Sequence, residues 1–246
     1  MNGDELEESV RSAGEGPEAG FRAAGELAGE LVHALRNPVA GFSTSLDLLL
    51  SGRLDAEDVT AIHGVLRNEL RKMNDTLART ADVARLGSLQ RVPVDLAALV
   101  AKRLDARAKD LAMASVVLER RVAPGPVPVR ADAMLLGDAI DALLQNALDA
   151  MADRGGALAV SLVVEPGGAV IRVRDTGRGV PEVIRANVFR PFFTTRKGAA
   201  GMGLSLARWI ARGHSGDVTL VFGESGTEAV LTVPVEPDPY SGGHRR

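Results

Sequence analysis

The sequence predicts a multidomain chain: an all-α helical hairpin that pairs with a second copy into a dimeric four-helix bundle, followed by an α+β sandwich. Three observations carry this. Two long stripes of apolar residues recur at steps of three or four in the first third of the chain. A composition break falls near Gly87 to Pro93. Beyond it, strand and helix signals mix without strict alternation, the pattern of a mixed sheet covered on one face by helices.

The opening residues, 1–20, are rich in Gly, Glu and Ser with few apolar anchors, so a disordered tail is expected there. From Phe21 onward Leu27, Leu31, Leu35, Pro38, Val39, Phe42, Leu46 and Leu49 mark one face of a helix. Residues 51–55 interrupt the pattern, and Asp55 is a good N-cap for a second helix. That helix shows Val59, Ile62, Leu66, Leu70, Met73, Leu77, Ala81 and Ala84 on one side. Each helix is roughly 30 residues, or about 45 Å at 1.5 Å per residue. Two helices alone cannot bury both stripes, which makes a homodimer the expected solution. The hairpin is therefore assigned to residues 21–88.

The second domain is assigned to residues 93–236, with a tail at 237–246. VDLAALVAKRLDARAKDLA is expected to be helical, and VVLERRVA and VPVRA to be strands. DAMLLGDAIDALLQNALDAMADRG is a long amphipathic helix. LAVSLVVEP and GAVIRVRDTG should pair as a hairpin, and a helix should begin at Pro181. A Gly-rich loop leads into the helix LSLARWIARG, and two strands close the domain.

Composition narrows the function. A net charge of −3 and 3% aromatic residues argue against a surface built for nucleic acid. There is no cysteine, so thiolate metal sites and a cysteine nucleophile are excluded. No run approaches the roughly 18 consecutive apolar residues of a membrane helix. The acidic start lacks the features of a signal peptide, so direct membrane insertion is not expected and a cytoplasmic location is.

Four segments carry chemistry. In Glu30 to Pro38, His33 lies opposite the mean direction of the apolar stripe, with Glu30 and Asn37 one turn away on either side. A neutral exposed imidazole has a nitrogen lone pair able to accept a phosphoryl group; by itself such a histidine also fits plain surface. In Leu144 to Ala150, Asn146 offers an amide oxygen to Mg²⁺ and Asp149 stands in the same helical segment. In Arg174 to Pro181, Asp175 ends a strand where a carboxylate can accept the amino group of adenine, and Gly177 and Gly179 permit close backbone approach. In Phe189 to Ser205, three phenylalanines precede Thr194, Thr195, Arg196 and Lys197. Gly201, Met202, Gly203 and Leu204 then enter a helix whose backbone N–H groups suit phosphate.

In order and spacing these segments resemble the H, N, G1, F and G2 boxes of bacterial two-component sensor histidine kinases. HALRNP resembles the H box, QNALDA the N box, DTGRGVP the G1 box, FRPFFTT the F box and GAAGMGL the G2 box. The PFFTT form is most similar to nitrogen-regulation-type kinases. The resemblance covers residues 21–235 and implies a phosphoacceptor hairpin joined to a GHKL (Bergerat-type) ATP-binding domain. It implies ATP and Mg²⁺ as cofactors and a response regulator as partner. It implies that His33 is phosphorylated, that Asn146 holds Mg²⁺ and that Asp175 reads adenine. Asn37 occupies a position linked in the family to dephosphorylating the regulator.

Two positions depart from the family pattern. Ala34 replaces the usual acidic residue after the histidine, and Ala142 replaces an asparagine four residues before Asn146. The lost carboxylate is a general base of a kind worth about 10²–10⁴-fold, and Glu30 is the expected substitute. The alternative reading is a degenerate kinase that docks or dephosphorylates a regulator with weak autophosphorylation. A GHKL protein-serine kinase is a third, disfavoured by the H-box hairpin. His63, His214 and His244 are expected to be inert, His63 on a helix surface, His214 in a loop and His244 in the tail.

Overall fold

The computed structural model describes residues 32, 35–36, 38–51, 55–85, 88–122, 125–196, 199–223 and 225–235. Two compact units are present: one takes Met1–Gly87 and Asn187–Met202, the other Ser88–Ala186 and Gly203–Arg246.

In the first unit, α1 (38–50) and α2 (Ala56–Arg85) form a hairpin. The turn obeys the capping rule, since Asp55 accepts a hydrogen bond from the Asp58 N–H at 2.8 Å. Gly41 and Glu69 lie about equally far from the turn along the two helices. A Cβ on Gly41 would sit 3.7 Å from the Glu69 side chain, so the helices run side by side and antiparallel. The expected stripes are only partly covered within one chain. Val39, Leu46, Leu70 and Leu77 are exposed, while Phe42, Ile62 and Leu66 are half-buried. His63 is exposed, as expected.

The second unit is a two-layer sandwich. Its sheet has the order β2 (Val116–Val122), β4 (Gly156–Glu165), β5 (Gly168–Asp175), β7 (Thr227–Val233), β6 (Asp217–Phe222). Only β2 and β4 are parallel; the other pairs are antiparallel. The alternation of β4 decides which face is core: Leu158, Val160 and Leu162 point inward, and the register carries the same face to Ile171 and Val173 and on to Ala229 and Leu231. Three helices cover that face: α3 (Leu96–Ala106), α5 (Ala133–Met151) and α6 (Gly203–Gly213). Leu136, Ile140, Leu143, Leu144, Leu148 and Met151 form the buried stripe of α5, each such side chain contributing about 1.5–3 kcal/mol. Asp132 caps α5 by accepting from the N–H groups of Met134 and Leu135.

Three expectations are corrected. Val94 and Asp95, read as a helix start, end strand β1 (Val92–Asp95), paired antiparallel with β3 (Pro128–Ala131). The helix that follows is interrupted at Arg107, giving α3 and the short α4 (Ala108–Met113). The segment after Pro181 is a 3₁₀ turn over Glu182–Asn187 rather than an α-helix.

His214 follows α6 in a turn, as expected, but it is buried there, only 3% exposed. Its Nε2 accepts from the Asp132 N–H at 2.9 Å. The ring proton therefore sits on Nδ1, which donates to the Ile210 carbonyl at 2.7 Å. The ring ties the end of α6 to the cap of α5. Burial lowers its pKa from the ordinary 6.5, the Ile210 carbonyl opposes that shift, and the Arg91 guanidinium outside the pocket adds to it while the Asp132 carboxylate opposes. A depressed folded-state pKa means the unfolded chain binds the proton first. His214 thus contributes stability that is full above about pH 6.5 and is lost as pH falls below it. A melting series from pH 8 to 5.5 should show the loss, and His214→Gln should flatten that limb.

Candidate nucleotide site

The second domain's site residues gather where β5 ends against the last turns of α5. Asp175 closes β5, and its side chain is 3% exposed. The chain then turns so sharply that the Gly177 N–H donates to Asp175 Oδ1 at 2.8 Å. Burial raises the carboxyl's pKa, and N–H bonds from Gly177 and Thr227 oppose that shift. The result is a desolvated carboxylate with acceptor capacity, suited to a neutral N–H donor such as an exocyclic amine.

The loop after Asp175 lies directly on α5. The Arg178 N–H donates to the Ala150 carbonyl at 3.2 Å, and a Cβ at Gly177 would fall 2.6 Å from the same oxygen. Any other residue at 177 would push the loop away from the helix. Asn146 and Asp149 stand on this last stretch of α5, both half-buried. They are hard oxygen donors, one neutral and one charged, of the type that suits Mg²⁺. Ala142 is half-buried one turn earlier on α5 and supplies no polar group.

Sequence reasoning missed Gly226, although the Ser-Gly pair between β6 and β7 is a turn signal. It has φ +81, and a Cβ there would meet the Asp175 carbonyl at 1.9 Å. A Cβ on Gly179, at φ +68, would lie 3.6 Å from the Gly226 backbone. Gly203 and Leu204 begin α6.

The F-box residues and the G2-box residues up to Met202 belong to the other unit. Phe189 to Phe193 runs as successive turns, with Arg190 N–H donating to Asn187 and Phe193 N–H to Arg190. Phe192 adopts φ +60, a strained conformation for an aromatic residue. Gly201, at φ +68, packs so closely that a Cβ would be 2.6 Å from the Phe192 backbone. The structure therefore brings Gly201 of the G2 box against Phe192 and Phe193 of the F box. Thr194 and Thr195 are exposed, and the Thr194 hydroxyl accepts from the Arg196 N–H at 3.1 Å. Arg196 is half-buried and Met202 buried. His33, Glu30, Asn37 and Lys197 lie outside the described residues.

A cleft of about 350 Å³ on the sheet's uncovered face is a different place. Its arginines are mostly spent on neighbouring acids: Arg172 on Glu165 and Glu228, and Arg121 on Glu119. Among the described residues no group of histidine and acidic side chains could hold a metal by itself. No helix of the described residues is long and apolar enough to cross a membrane.

Comparison with known proteins agrees with this geometry. Residues 131–237 match the family described as histidine kinase-, DNA gyrase B- and HSP90-like ATPase. The sensor protein CreC of Escherichia coli (strain K12) is 29% identical over 77% of this chain and 41% of its own length. The sensor-like histidine kinase SenX3 of Mycolicibacterium smegmatis is 28% identical over 85% of this chain and 57% of its own. The chain thus spans about half the length of these relatives. Among solved structures, the histidine kinase ThkA in complex with the response regulator TrrA matches with a TM-score of 0.70. That match has 18% identity and covers 88% of this chain and 63% of that one.

Proposed function

We propose a reaction for a chain that belongs with the bacterial two-component sensor histidine kinases and carries their GHKL-type ATP-binding domain: transfer of the γ-phosphoryl group of Mg-ATP to His33, and from His33 to an aspartate of a response regulator. The observation that carries it is the buried Asp175, followed by a glycine loop packed on Ala150, the residue next to Asp149 and one turn from Asn146 on α5. Asp175 accepts from the adenine amino group, Asn146 holds the metal with Asp149 nearby, and Gly177 and Gly179 let the backbone approach. Gly201, Met202, Gly203, Leu204, Thr194, Thr195, Arg196 and Lys197 are assigned to the phosphates on the box resemblance. Mg²⁺, when bound, neutralises phosphate charge and orients the transferred group.

In the first step the bond from the γ-phosphorus to the ADP oxygen breaks and a phosphorus–nitrogen bond to His33 forms. Glu30 takes the imidazole proton in place of the acid absent at Ala34. The hairpin of residues 21–88 works as a homodimer, which the exposed Val39, Leu46, Leu70 and Leu77 support. Residues 93–236 form the catalytic domain. The complex formed by ThkA with its regulator supports a response regulator as partner, and Asn37 assists dephosphorylation of that regulator.

Ala34 and Ala142 favour a second reading, a regulator-docking or phosphatase module with weak autophosphorylation. Incubation with γ-labelled ATP and Mg²⁺ separates the two. Acid-labile, base-stable label on the chain is the expected result. Saturable nucleotide binding with no label would leave only the module.

A further inference from the structure

Asp138, Asp141, Gln145 and Asp149 follow one another at steps of three, four and four along α5, forming one polar stripe. Its upper part faces α3. Arg103 Nη1 pairs with Asp141 Oδ2 at 2.7 Å and lies 3.9 Å from Asp138. Arg107 Nε lies 3.6 Å from Asp141, and Arg107 Nη1 donates to Gln145 Oε1 at 2.6 Å. The other end of that amide is also used, since Gln145 Nε2 donates to Asp149 Oδ1 at 3.0 Å.

The break between α3 and α4 explains why Arg107 can do this. Its backbone sits at φ −93, ψ 1, between two helices, which turns the side chain toward α5. Gln145 is thereby gripped at both ends. On a helix at about 100° per residue, position 149 lies about 40° from 145 and about 60° from 146. The Gln145 bond thus draws the Asp149 carboxylate toward the α3 side and away from the Asn146 amide.

We infer that Gln145, braced by Arg107, is a positioning residue that holds the Asp149 carboxylate on the α3 side of α5, clear of the Asn146 amide, at the edge of the nucleotide site. The inference rests on the nucleotide-site reading given above and adds residues to it. A carboxylate left free to swing would bring negative charge toward the phosphates at one moment and remove it at the next. A held carboxylate presents the metal–phosphate group with one fixed arrangement.

The test is a charge exchange in the full chain, read by Mg-ATP affinity and by melting without nucleotide. Gln145→Glu keeps an acceptor for Arg107 but sets two carboxylates against each other, so melting should hold while the Kd for Mg-ATP rises about tenfold, the scale of a hydrogen bond to a charged group. Asp149→Asn removes the carboxylate that Gln145 is there to hold, so in that background adding Gln145→Glu should change the affinity by less than about threefold. Unchanged affinity in Gln145→Glu overturns the inference, and so does a further loss of about tenfold when Gln145→Glu is added to Asp149→Asn. Asn146→Ala tests the underlying reading separately. If that variant bound Mg-ATP like the parent, the nucleotide-site reading would fail; if it lost affinity while Gln145→Glu did not, only the positioning role would.

Discussion

With His33 replaced by glutamine, the chain takes up no acid-labile label from γ-labelled ATP, yet binds nucleotide with unchanged affinity. The two readouts separate because the proposed acceptor precedes the proposed ATP-binding residues by over a hundred positions. Glutamine is close to imidazole in size and polarity but has no nitrogen lone pair able to attack phosphorus, so it tests the chemistry and spares the helix. Glu30→Ala, assayed alongside, should slow labelling about 10²-fold or more if that carboxylate takes the proton. Label that persisted in His33→Gln would place the acceptor elsewhere, and an unchanged rate in Glu30→Ala would return the proton to solvent.

Gly226→Ala should be among the most damaging single methyls in the second unit. An alanine at φ +81 costs about 1–2 kcal/mol in backbone strain. Its Cβ would also lie 1.9 Å from the Asp175 carbonyl, so the β6–β7 turn or the end of β5 must move, at about 1–3 kcal/mol more. The displaced group is the strand end that carries the buried carboxylate, so Mg-ATP affinity should fall together with a melting loss of roughly 5–15 °C. Gly167→Ala is the matched control, since nothing lies within 4 Å of a Cβ there. Equal melting of the two variants would show that the crowding at Gly226 relaxes without cost.

The parts of the fold that were legible have local signals. The stripe of α5 repeats at helical spacing over 19 residues, and β4 and β5 are neighbours joined by a two-residue turn. The parts that were not legible depend on distant partners. Val92–Asp95 is a strand only because Pro128–Ala131, over thirty residues later, pairs with it. The break at Arg107 has neither Gly nor Pro to announce it; what accompanies it is a set of contacts to Asp141 and Gln145 on another helix. His214 carries no mark of burial in its neighbours Gly213 and Ser215, since the cap it supports lies 82 positions away. Within the candidate site, Asn146, Asp175 and Gly177 announce themselves as motif residues, whereas Gly226 and the Gln145 bridge are visible only once three segments are packed.

The order of the sheet leaves β2 at one border, and among the described residues nothing pairs with its outer side. An unpaired strand is a template on which another molecule can extend the sheet. The second half of β2 reads Glu119-Arg120-Arg121, all exposed, with Arg120 engaged by Asp105. Lining up a second β2 there would confine ionic groups against one another and strip their water. This border therefore protects solubility, which matters most for a chain whose other unit has apolar residues to bury. The molecule thus carries a charged sheet border that resists extension by a second strand, in a chain whose other unit leaves Val39, Leu46, Leu70 and Leu77 exposed.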